Sequence, residues 1–139
     1  MAHGFKVLER ALPILGAGQP PERYAIDVET EFPGPGARDA FEMVTRAVTG
    51  GRYRVAPDLA GGDAPTAPEG RYFFRLGYRG RTVNLTLRDG YVSDEFIQLA
   101  QAESRTQAEE EHFTWFKHDM AAKLMGRPAE EVYDASAHL

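Results

Sequence analysis

The chain has no cysteine. That excludes disulfides, thiolate zinc sites and cysteine nucleophiles, and it fits a reducing compartment. No apolar run approaches the roughly 20 residues that a membrane-spanning helix needs. The first ten residues carry charges every few positions and hold no signal-peptide block. These absences predict a cytoplasmic protein with no membrane association. Serine is scarce: Ser93, Ser104 and Ser136 all lie outside a Gly-x-Ser-x-Gly elbow. The Gly/Pro segment at 16–21 follows no strand and precedes no Lys-Ser/Thr pair, so it reads as a stop and loop rather than a phosphate cradle.

What is present is enough for one ordinary domain. A chain of 139 residues matches the usual size of a single folding unit. Its 8 Phe, 6 Tyr and 1 Trp argue against disorder. No internal repeat appears, so residues 1–139 are read as one globular domain.

Periodicity predicts an α+β fold with a mostly antiparallel sheet of four to five strands. Phe5, Leu8, Leu12 and Leu15 recur at helical spacing, which predicts a helix over 3–15 that Pro13 should kink or shorten. Tyr24, Ile26, Val28, Thr30 and Phe32 alternate with Ala25, Asp27, Glu29 and Glu31, predicting a half-buried strand over 23–32. A helix over 37–48 follows, ended near Gly50, and then a short strand over 52–56. Residues 57–70 are rich in Gly, Pro, Asp and Ala and read as a long mobile loop.

A hairpin over 71–78 and 81–88 pairs Leu76 with Val83, Phe74 with Leu85 and Arg75 with Asn84. This register puts every large aliphatic on one side, and a one-residue slip would expose them all. Asp89-Gly90 is a hairpin-turn signal and predicts a third strand over 91–93. Helices over 94–103 and 107–125 come next, the first capped by Ser93 or Asp94. A short last helix over 129–135 completes the reading.

Charge is sorted along the chain. Residues 52–88 hold seven Arg against Asp58, Asp63 and Glu69, while 89–139 hold four basic and eleven acidic residues. The register gathers Arg71, Phe73, Arg75 and Arg88 on one sheet face, extended by Arg52 and Arg54 if their strand joins the sheet. This is the predicted partner-binding surface. Two bland readings stand beside it: a solvated sheet face, or neutralisation by helical acids such as Glu109 to Glu111.

Glu109 and His112 have the i, i+3 spacing used by di-metal bundles, but no second such pair exists in the sequence. The acidic run reads instead as a favourable helix start. No metal site and no cofactor are predicted. Trp115 points about 100° away from Phe116 on a helix. With Ala122 and Met125 it forms a candidate self-association patch, unless Val132 and Tyr133 cover it.

By elimination, the sequence points to a non-enzymatic protein-interaction module: an adaptor, chaperone or inhibitor of a larger assembly, with a homodimer as one arrangement. One alternative is a small-ligand binder or enzyme, with a pocket between helices and sheet lined by Tyr53, Tyr72, Phe74 or Tyr78. The other is a nucleic-acid binder stacking bases on Phe73 among arginines.

Overall fold

The computed structural model describes residues 1–57, 59, 66–67 and 70–138. It is an α+β fold in two layers. The five-stranded sheet has the order β2-β1-β5-β6-β7, with β1 Asp27–Thr30, β2 Tyr53–Val55, β5 Phe73–Tyr78, β6 Arg81–Leu87 and β7 Tyr133–His138. Only β1 and β2 run parallel; the other pairs are antiparallel. A separate two-stranded ladder joins β3 Thr66–Ala67 to β4 Gly70–Arg71. The rest of the 57–70 segment, apart from Pro57 and Leu59, lies outside the described residues.

The hairpin forms in the expected register, Leu76 opposite Val83 and Phe74 opposite Leu85. Both pairs are fully buried. Against this face packs α1 Ala2–Gly16, whose buried side is Val7, Leu8, Ala11 and Leu15. Pro13 does not shorten α1. It stands on the exposed side, so the Glu9 carbonyl that loses its helical donor can turn to water. Beside α1 lies α2, Pro35–Thr45. The two helices approach closely at Gly4, where a Cβ would come within 2.7 Å of Ala40 Cβ and 2.9 Å of the Ala37 carbonyl.

Two boundaries differ from the sequence reading for clear physical reasons. The first strand is short because Tyr24 adopts φ 70, donates its amide to the Thr45 carbonyl and points outward. Helix α2 ends at left-handed Arg46 rather than at the glycines; Thr45 turns its hydroxyl back onto the Phe41 carbonyl at 2.7 Å.

The largest difference concerns the neighbour of β6. The Asp89-Gly90 turn exists, with Gly90 at φ 99, but 91–93 forms no strand. The edge of β6 is taken by β7, which pairs along six positions from Thr82–His138 to Leu87–Tyr133. A three-residue strand cannot compete with that ladder. Ser93 instead caps α3, Asp94–Gln101, accepting from the Phe96 amide at 3.1 Å. The expected last helix is correspondingly only α5, Ala129–Val132.

Helix α4, Gln107–Met125, has the bounds expected of it. Thr106 and Glu109 close a reciprocal capping box at its start. At its far end the buried Lys6 ammonium reaches the Arg127 carbonyl at 2.5 Å and Glu9 at 3.1 Å. Only Phe113 and Leu124 of α4 are buried.

Candidate functional site

Three surfaces can carry function: the outer sheet face, the exposed side of α4, and a cavity where α1, α3 and α4 meet.

The outer sheet face is built by strand alternation. Arg54 stands opposite Glu29, Glu29 opposite Arg75, Arg75 opposite Asn84, and Asn84 opposite Ser136. Charges therefore interleave rather than forming a basic stripe. Arg54 pairs with Glu29, and Arg88 with Asp134 at 2.9 Å. The neutralising acids come from neighbouring strands, not from Glu109 to Glu111, where Glu109 is spent in the capping box and Glu110 pairs with Arg105.

Arg75 donates to Asn84 Oδ1 at 3.0 Å and to the Leu59 carbonyl at 3.4 Å, with its guanidinium 5.8 Å from the Phe73 ring centre. Phe73 shares this face but is only 5% exposed, buried with Ala56 and Leu59. Arg52 does not join the face; it donates to the Ile26 and Arg46 carbonyls at the sheet edge. Arg71 sits half-buried in the β3–β4 ladder. The six residues gathered by sequence thus reduce to Arg54, Arg75 and Arg88 on an open face of mixed sign.

On α4, one side meets the body and the other does not. Phe113 stacks on Phe96 of α3, ring centres 5.4 Å apart, and the Lys117 ammonium lies 4.3 Å from the centre of the Phe113 ring. Trp115 is 53% and Met125 54% exposed, and Ala122 between them is exposed as well. Val132 and Tyr133 do not cover this patch, because both are buried in the main core. His112 stacks over Trp115, 5.8 Å between centres and 10° between planes, and bonds Glu95 at 3.1 Å. His112 therefore faces α3 rather than forming a metal pair with Glu109. Among the described residues, no group of three or more His, Cys, Asp or Glu could hold a metal ion.

Of the residues expected to line a pocket between helices and sheet, Tyr72 lines this cavity; its other walls were not legible in the sequence. It is a half-open pocket of about 170 Å³ lined by His3, Tyr72, Phe96, Lys117, Ala121 and Leu124. The His3 ring stacks on Tyr72 at 4.5 Å and 28°, and Tyr72 stacks on Phe32 at 4.6 Å. His3 Nδ1 meets the Tyr133 hydroxyl at 2.9 Å. Burial lowers the His3 pKa to about 3, so the ring is neutral at pH 7. Burial also raises Tyr72 to about 12, and raises Tyr133 well above its ordinary value, helped by Tyr72. No local pattern could have found this group, since His3 and Tyr133 are 130 positions apart.

Of the other tyrosines expected to line a pocket, Tyr78 borders a more polar cleft of about 350 Å³ with Arg79 and Arg81. There Arg79 is already paired with Glu22 at 2.6 Å, and Arg81 donates to the Leu15 carbonyl at 3.3 Å. Phe74 is fully buried in the core. Among the described residues, no helix is long and apolar enough to cross a membrane. No protein-family model matches this chain, and no curated protein matches it either.

Proposed function

We propose that this chain is a small non-enzymatic protein-interaction module of the cytoplasm, an adaptor, chaperone or inhibitor, that docks through the exposed side of α4. The observation that carries the reading is the exposure of Trp115 and Met125, each more than half open to solvent on one helix side. Trp and Met are enriched in interfaces and depleted from ordinary surfaces. The rim is acidic: Glu109, Glu110 and Glu111 lie at the start of the same helix. The open sheet face around Arg75 is a secondary surface, and its alternating charges suit register more than affinity. Base stacking on Phe73 finds no support, because that ring is buried.

A photo-reactive phenylalanine analogue placed at position 115, in cells that make the protein, tests the reading. The expected result is a discrete protein adduct, absent when the probe sits at exposed Arg23 and lost when Met125→Glu is added. The same adducts at both positions, or none at 115, would overturn it.

A second reading, a small-ligand binder, is favoured by the cavity. Apolar walls with a few convergent polar groups are the usual form of a ligand site. Ligand-observed NMR with benzoate and benzyl alcohol tests it: saturation transfer abolished by Ala121→Phe supports the reading, and no transfer from either probe rejects it.

A further inference from the structure

The pocket between α1, α3 and α4 has a chemical bias. Its walls are aromatic and aliphatic, with His3, Tyr72 and Phe96 facing Ala121 and Leu124 across one space. Lys117 is its one charged side chain, and among the described residues no carboxylate lines it. From that lining, we infer that the pocket takes a small aromatic carboxylate, its ring among His3, Tyr72 and Phe96 and its anion toward Lys117. The inference rests on the reading of this pocket as a ligand site and names the class of ligand.

The sign of the ligand follows from two donors. Lys6 and Lys123 each pair with a carboxylate, Glu9 and Asp119. Among the described residues Lys117 pairs with none; its ammonium rests 4.3 Å from the centre of the Phe113 ring. At an exposed site such a contact contributes little, so the charge stays available. The second donor is His3. The Tyr133 hydroxyl is fully buried, and its partner among the described residues is Nδ1 of His3 at 2.9 Å. A buried hydroxyl that donates to nothing is costly, so Tyr133 donates and Nδ1 accepts. The proton of the neutral ring then sits on Nε2, as an N–H that no described residue accepts.

An ammonium and an N–H around apolar walls suit an acceptor with one negative charge. A cationic ligand would meet Lys117 as a like charge. A phosphate dianion would bring charge that one ammonium does not balance, and unpaired charge against an apolar wall is costly. Size narrows the class further. The pocket holds about 170 Å³, below the roughly 300–1,000 Å³ of sites for drug-sized molecules, which leaves room for a single ring. Walls made of ring faces and edges favour a planar aromatic occupant. Lys117 is exposed, so salt screens its pull, and a ligand this small should bind with a dissociation constant on the order of a millimolar.

Chemical-shift titration of the full chain with benzoate, benzyl alcohol and benzylamine tests the inference, since the three probes share a ring and differ in charge. The expected result is benzoate several-fold tighter than benzyl alcohol, with benzylamine the weakest and the shifts centred on Tyr72 and Ala121. Lys117→Met should remove the preference for benzoate, whereas Lys123→Met, on the same helix but outside the pocket, should keep it. Equal binding of benzoate and benzyl alcohol, or a preference that survives Lys117→Met, would overturn the carboxylate as ligand and leave the pocket reading standing. If none of the three binds, the pocket reading fails and the inference fails with it.

Discussion

The Tyr133 hydroxyl, on the first residue of β7, lies 2.9 Å from Nδ1 of His3 in the first turn of α1. One contact thus ties the edge strand to the helix beneath it. It also fixes a pH dependence. The neutral ring is favoured in the fold, because burial holds the His3 pKa at about 3 against about 6.5 when unfolded. Below pH 6.5 the unfolded chain binds a proton that the folded chain does not, so stability falls as pH falls from about 6.5 toward 3. The limiting slope is roughly 1.4 kcal/mol per pH unit. His3→Gln should flatten the dependence between pH 6.5 and 5 in urea denaturation. That window separates it from Glu42 and Glu109, whose lowered pKa values bring losses only at more acid pH. A slope unchanged by the substitution would show that His3 is not held neutral.

The close approach of α1 and α2 gives a second test. A valine at Gly4 would drive atoms into Ala40 and the Ala37 backbone, and backbone cannot yield as a flexible side chain does. Gly4→Val should cost about 1–3 kcal/mol or more, as overpacking does, read as a lower urea midpoint. A midpoint equal to wild type would show that the helices are farther apart than described.

Tyr53 offers a substitution expected to stabilise. Its hydroxyl is buried with no hydrogen-bond partner among the described residues, while its ring lies 5.8 Å from Phe41. An unpaired buried polar group costs about 1–3 kcal/mol, so Tyr53→Phe should raise stability by about 1 kcal/mol. A clear loss instead would mean that the hydroxyl has a partner in solution.

Leu85, fully buried between Phe74 and Ala135 on neighbouring strands, tests the sheet register. Leu85→Ala should cost about 2–5 kcal/mol. Melting like wild type would place another residue in the core.

Where the sequence was readable, a strong periodic signal met a local stop. The hairpin register came from large aliphatics that a one-residue slip would expose, and α4 from the apolar stripe of Phe113, Phe116, Met120 and Leu124 ended at Gly126. The β7 strand was hidden because its alternation, Tyr133, Ala135, Ala137 against Asp134, Ser136, His138, is carried mostly by small residues that read equally well as helix. The third-strand expectation failed for the same cause: the turn at Gly90 is real, but which strand fills the β6 edge is decided by pairing across 40 residues or more. The sheet face was half legible. Strand parity put Arg75 and Arg88 on one side, but could not show that Glu29 and Asp134 stand among them, nor that Phe73 is covered. The His3 cluster had no local signature at all.

Trp115 is the one tryptophan in the chain, so its accessibility reports directly on the α4 face. Acrylamide quenching of its fluorescence, with and without the protein captured at position 115, is the most direct test of the docking claim. Strong quenching is expected of the chain alone, where Trp115 is 53% exposed, with protection on adding the captured protein and loss of that protection in Met125→Glu. Quenching that is equally strong with and without that protein would contradict it.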